Sequence, residues 1–167
     1  LYIGGQIGST RLLKFDGKEL YPVLKSEIPS AVTALAPGEN GNIWIATQGK
    51  GLMGYAPDGT LTTFNTSNSN IPANPVYDIK TDHRGGYWLA CQRSLVKFDG
   101  KDFISYQTDL IEPMENMNFM TSILPEEDGT VWVGTKKQGL FKFANGEFTP
   151  VDIAPAPLLA DNYMAFS

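Results

Sequence analysis

The chain has 167 residues, 42% of them apolar and 19% charged, enough for one domain with its own core. A net charge of −5 disfavours a general nucleic-acid binder, and no apolar run nears the roughly 18 residues of a membrane helix, so neither nucleic-acid binding nor membrane insertion is expected. One cysteine and one histidine exclude an internal disulfide, a Cys-cluster zinc site and a multi-His metal centre; no metal and no cofactor is expected.

A repeat orders everything that follows. Its frame is set by Trp44, Trp88 and Trp132, which stand 44 residues apart inside Gly41–Thr47, Gly85–Cys91 and Gly129–Thr135. The chain opens at Leu1 inside a strand-like run with Tyr2 in the tryptophan slot, a start that implies a cut from a longer protein. Leu12 and Phe15, then Leu20 and Val23 after a turn, complete a first unit at 1–24. The second unit, 31–67, starts with alternation over Val32–Leu35 and passes through the turn Glu39-Asn40-Gly41 to the Trp44 strand. It ends with Leu52 and Tyr55, the turn Asp58-Gly59, and Leu61 and Phe64. The third, 75–108, runs from Val76–Ile79 through His83-Arg84-Gly85 to Trp88, Leu95, Phe98, Asp99-Gly100, Phe103 and Tyr106. The fourth, 119–152, runs from Met120–Ile123 through Glu127-Asp128-Gly129 to Trp132, Leu140, Phe143, Asn145-Gly146, Phe148 and Val151. Last, Tyr163–Phe166 matches the opening strand of a unit, so residues 162–167 would complete 1–24 in a closed four-unit ring. In a fragment of a larger ring the same strand leaves an unpaired edge, open to a second copy of the chain or to neighbouring blades.

Alternating apolar positions bounded by Gly, Asn, Asp and Pro read as half-buried antiparallel strands, four to a unit. The fold class expected is all-β, a β-propeller of four-stranded antiparallel blades with about four repeats; a solenoid is the runner-up. Cys91 takes the slot of Thr47 and Thr135 and reads as a small packed side chain. Met114, Met117 and Met120 fall at helical spacing, but Pro113 and the strand register of Met120 argue for a packed crossover.

The cleanest copy, Glu127 to Thr135 followed by Gly139-Leu140-Phe141-Lys142-Phe143, resembles the two-component regulator propeller repeat, and Glu39 to Tyr55 is nearly as close. The third copy departs at Cys91 and lacks the glycine before Leu95, and the first lacks the tryptophan. The resemblance implies a bacterial sensor region outside the cytoplasm, periplasmic or extracellular, usually part of a hybrid histidine kinase that detects oligosaccharides. No signal peptide marks this segment.

No catalytic residues are expected. Trp44, Trp88 and Trp132 are mid-strand with aliphatic neighbours and read as structural rings between blades. His83 has no nucleophile-elbow motif beside it, and Glu126 and Glu127 are turn neighbours that cannot face each other across a sugar. Calcium is disfavoured because no Asp-x-Asp-x-Asp loop occurs. The loops between second and third strands, including Arg11, Gln48, Lys50, Gln92, Arg93 and Lys136–Gln138, carry no acid, whereas the opposite turns carry Asp16, Asp58, Asp82, Asp99 and Glu126–Asp128. Connections between units emerge on the same face and add Asn68, Asn70, Asn74, Asn116 and Asn118 but also Glu112, Glu115 and Asp161; with its acid-free loops, that face is expected to receive a polar or anionic ligand such as an oligosaccharide, held by Lys50, Arg93, Lys136 and Gln138. An ordinary wet surface with chance segregation explains the same asymmetry. The functional reading is a non-enzymatic ligand-binding or sensory module; the alternatives are a protein-interaction scaffold and a propeller lyase or hydrolase.

Overall fold

Each apolar alternation ends at residues that tolerate a left-handed backbone, and this punctuation folds the chain into hairpins. The computed structural model describes residues 1–7, 10–24, 27–28, 30–110 and 119–152. At the last hairpin Asn145 and Gly146 both have positive φ, 53° and 87°, the two-residue turn whose twist suits antiparallel strands.

The first sheet has three strands, β1 (Tyr2–Ile7), β2 (Thr10–Phe15) and β3 (Leu20–Leu24). The second has β4 (Val32–Pro37), β5 (Ile43–Thr47), β6 (Leu52–Tyr55) and β7 (Leu61–Phe64). The third has β8 (Asp78–Thr81), β9 (Tyr87–Cys91), β10 (Ser94–Phe98) and β11 (Phe103–Gln107). The fourth has β12 (Met120–Pro125), β13 (Val131–Thr135), β14 (Leu140–Ala144) and β15 (Glu147–Pro150). All pairings are antiparallel between consecutive strands, and β4, β8 and β12 lie side by side as the inner strands of their sheets. Among the described residues no helix is long and apolar enough to cross a membrane, and no cluster of metal-ligating side chains occurs.

Packing between sheets repeats one contact. A cross-strand row on one sheet receives the aromatic ring of the sheet before it. Tyr2 meets the row Ile43–Tyr55–Leu61, with ring centroids 6.4 Å apart at Tyr55. Trp44 meets Tyr87–Phe98–Phe103, lying 4.9 Å from Phe98 edge to face. Trp88 meets Val131–Phe143–Phe148, 5.7 Å from Phe143. Trp132 is half-buried, and no following sheet covers it among the described residues.

The cross-strand neighbour of each ring is a lysine in three sheets. Lys14, Lys97 and Lys142 stand 5.7, 5.4 and 6.0 Å from the ring centres of Tyr2, Trp88 and Trp132. In the second sheet that position is Gly54, where a β-carbon would come within 2.7 Å of the Trp44 ring. Lys97 also pairs with Asp82 at 2.9 Å.

The third sheet differs from the sequence expectation at its start. Val76 is apolar and buried, yet the strand begins at Asp78, because the Val76 N–H donates to the Thr47 carbonyl of the second sheet at 2.9 Å. Arg11, expected in a loop, lies within β2. Met120 is buried in β12 as read, while Met114, Met117 and the closing strand Tyr163–Phe166 lie outside the described residues.

Candidate functional site

The loops between second and third strands are built by the threonine that ends each second strand. Thr47 Oγ donates to the Gly51 carbonyl at 2.8 Å and accepts from the Lys50 N–H at 3.0 Å. Thr135 does the same with the Gly139 carbonyl and the Gln138 N–H, both at 3.0 Å. Gly51 and Gly139 close these loops at φ of 81° and 75°. In the third sheet the chain between the paired residues Ala90 and Leu95 is one residue shorter than between Ala46 and Leu52 or Gly134 and Leu140. Cys91 replaces the threonine, Gln92 takes φ of 49°, and Cys91 pairs directly with Ser94. The two departures noted in the third copy are therefore one event. A shorter loop needs neither the threonine brace nor the glycine. Cys91 is fully buried and burial pushes its thiol far above the ordinary range, consistent with packing and not nucleophilic chemistry.

Backbone hydrogen bonds tie the loops of the second and third sheets to the segments entering the next sheet: the Gly51 N–H donates to the Asn74 carbonyl at 2.8 Å and Met120 N–H to the Gln92 carbonyl at 2.7 Å. Within the fourth sheet, Lys136 N–H donates to the carbonyl of Phe119, the residue before β12, at 3.0 Å. One end of the array thus carries Lys50, Arg93, Lys136 and Gln138 on three successive sheets. Lys50 and Arg93 are exposed; Lys136 and Gln138 are half-buried.

Of these four, Arg93 lines a cavity. It is an open depression of about 220 Å³ bounded by Pro72 and Ala73, by Cys91 to Ser94, and by Gln107, Thr108 and Asp109. Beside it, Tyr77 stacks on Phe119 at 4.1 Å and 12°, and the Lys136 ammonium stands 5.2 Å from the Phe119 ring centre. Burial raises the Tyr77 phenol above its ordinary range, with a smaller push from Cys91. Sequence reading missed Tyr77, Phe119 and the Gln107–Asp109 wall. The signal for the rings was weak: Tyr77 aligns with Thr33 and Thr121, polar residues in the neighbouring units.

The opposite turns have a different chemistry. Asp16 Oδ1 accepts from Lys18 and Glu19 N–H, and Asp99 Oδ1 accepts from Lys101 and Asp102 N–H. Asp58 and Asp128 accept from the N–H of Thr60 and Thr130. These bonds hold all four carboxyls below the usual range. Turn geometry therefore accounts for much of the acidity of that face. His83 is exposed there, beside a second depression of about 520 Å³ lined by Glu126 to Asp128, Thr130, Trp132 and Lys142.

Successive antiparallel sheets joined edge to edge by their inner strands, with large rings between them, define a β-propeller. The family profile described as the two component regulator propeller matches residues 26–49. Solved structures share the fold. The extracellular domain of BT3049 from B. thetaiotaomicron, named as a hybrid two component system, is 24% identical over 78% of this chain and 18% of its own, with a TM-score of 0.60. The extracellular domain of BT4673 from the same organism, named as a one component system, is 16% identical over 90% of this chain and 21% of its own, with a TM-score of 0.64. A streptogramin B lyase is 19% identical over 90% of this chain and 50% of its own, with a TM-score of 0.66. The chain thus spans about a fifth of the two extracellular domains and half of the lyase. No curated protein matches the chain by sequence.

Proposed function

We propose that this segment is a non-enzymatic, ligand-binding sensory module working outside the cytoplasm, and that its ligand is a polar or anionic oligosaccharide. The observation that carries the reading is the Arg93 depression, whose Gln92 carbonyl accepts from the N–H of Met120, the residue after Phe119 of the Tyr77–Phe119–Lys136 stack. A guanidinium can hold a carboxylate or sulfate through paired hydrogen bonds, and Gln92, Gln107 and Thr108 can donate to and accept from hydroxyls. The likeness to extracellular domains of two component systems supports the sensory role. Binding without turnover is supported by the place of the chain's one histidine, in a turn at the other end of the sheets.

Calorimetry with uronate- and sulfate-bearing oligosaccharides tests the reading. Arg93→Ala is expected to weaken binding about tenfold or more, the worth of a hydrogen bond to a charged group. Because Arg93 is exposed, its loss should change stability by less than about 0.5 kcal/mol. Unchanged affinity in Arg93→Ala, together with loss of binding in variants of the Asp82 and Glu127 turns, would place the ligand at the wrong end for this proposal.

A further inference from the structure

The Arg93 depression also carries a carboxylate on its wall. Cys91 pairs with Ser94 and Ser94 with Gln107, so the ends of β9, β10 and β11 form one cross-strand row along it. Cys91 and Ser94 in that row are buried. The chain leaves the row in two places. Gln92 and Arg93 close the hairpin between β9 and β10, and Thr108 and Asp109 run on past the end of β11. Arg93 and Asp109 therefore reach the same space from neighbouring segments of one sheet.

Both segments are held by hydrogen bonds. Gln92 takes φ of 49° and its carbonyl accepts from Met120 N–H at 2.7 Å. Thr108 Oγ1 accepts from Leu110 N–H at 3.1 Å, a side-chain turn that fixes the backbone at Asp109. Arg93 and Asp109 are exposed, and among the described residues neither side chain has a hydrogen bond or an ion pair. Two opposite charges thus line one depression of about 220 Å³ without neutralising each other. Both remain open to a ligand.

We propose that Asp109 is a specificity-determining residue of this site, and that the depression seats one uronate unit whose ring hydroxyls carry no sulfate. The proposal rests on the ligand reading above and narrows it. A guanidinium only donates hydrogen bonds and an ionised carboxylate only accepts them. The ligand must therefore present an anion to Arg93 and hydroxyl donors to Asp109. A uronate ring does both, with its carboxylate on one side and adjacent hydroxyls on the other. Sulfate on those hydroxyls removes a donor and sets a second anion against Asp109. Size limits the fit as well. The depression is smaller than the roughly 300–1,000 Å³ of pockets that enclose a drug-sized ligand, so a single ring spans it and meets both charges.

Calorimetry on the whole chain with two probes tests the proposal. One probe is a disaccharide bearing a single unsulfated uronate; the other is the same disaccharide sulfated on the ring hydroxyls of that uronate. Wild type is expected to bind the unsulfated probe about tenfold more tightly, the worth of a hydrogen bond to a charged group. Asp109→Asn keeps the shape and one acceptor but removes the charge. It is expected to bind the sulfated probe more tightly than wild type does and to bring the ratio close to one. Arg93→Ala is expected to weaken both probes by a similar factor. A ratio that is the same in wild type and Asp109→Asn overturns the proposal, and the ligand reading stands if Arg93→Ala still weakens both probes. Wild type preferring the sulfated probe overturns it in the same way. If neither probe binds wild type, the proposal and the ligand reading fall together.

Discussion

Gly54 shows how one position is tuned to its neighbour. The same slot holds lysine in the other sheets, where the flexible stem can lie beside an aromatic ring. In the second sheet Trp44 leans across it toward Tyr87, Phe64 and Phe98, leaving no room for a β-carbon. Gly54→Ala is therefore expected to cost about 1–3 kcal/mol in denaturant unfolding, as overpacking does. Asp78 makes a second test. Its carboxylate is buried between sheets, accepting from Ile79 N–H at 2.8 Å and from Ile123 N–H of the fourth sheet at 3.0 Å. Burial raises its pKa more than these bonds lower it. A raised carboxyl contributes most below the ordinary value of about 3.9 and loses that contribution as pH rises through the folded value. Asn keeps an acceptor without the charge, so Asp78→Asn should gain stability relative to wild type as pH rises from 3 to about 7. Asp16, Asp58, Asp99 and Asp128 have the opposite sign. Their lowered pKa values stabilise the fold above about 3.9, and the benefit fades as pH falls through the folded values. A wild-type advantage that grows with pH would show that the Asp78 charge is favoured in place. At this scale the tryptophans were legible, because three identical residues at equal spacing reveal shared packing. The outer-face state of Trp132 was not, since it depends on which sheet follows.

At the scale of the element, turns were easier to read than strand starts. Asp-Gly and Asn-Gly pairs announce a hairpin through local backbone preference alone, and Asn145-Gly146 adopts the positive φ pair they imply. Val76 misled because its N–H bonds the preceding sheet, so apolar alternation runs ahead of the ladder. The braced loops offer a direct check. Thr135→Val keeps the shape of the side chain but loses the bonds to the Gly139 carbonyl and Gln138 N–H. A cost of about 1–3 kcal/mol is expected, with faster amide exchange at residues 136–139. No change in exchange would mean that Gly139 alone shapes the loop. The candidate site was partly legible at this scale. Loop composition pointed to Arg93 and Lys136, whereas the Tyr77–Phe119 stack arises between sheets and leaves no periodic trace.

On the scale of the molecule, the sheets are scaffolding that brings three loops to one end and reserves the other for turns. The absence of acids from the loops between second and third strands guided the functional reading, although Asp109 lines the depression at that end, and the turn aspartates supply a structural reason for the contrast. The reading therefore depends on the depression and the stack, more than on net charge. Amide hydrogen exchange with and without a bound uronate or sulfate oligosaccharide tests it most directly. The account expects protection to rise at 72–74, 91–94, 107–109 and 136–138, with the turns at 82–86 and 126–130 unaffected. Protection confined to those turns, or to the Trp132 depression beside them, would contradict it.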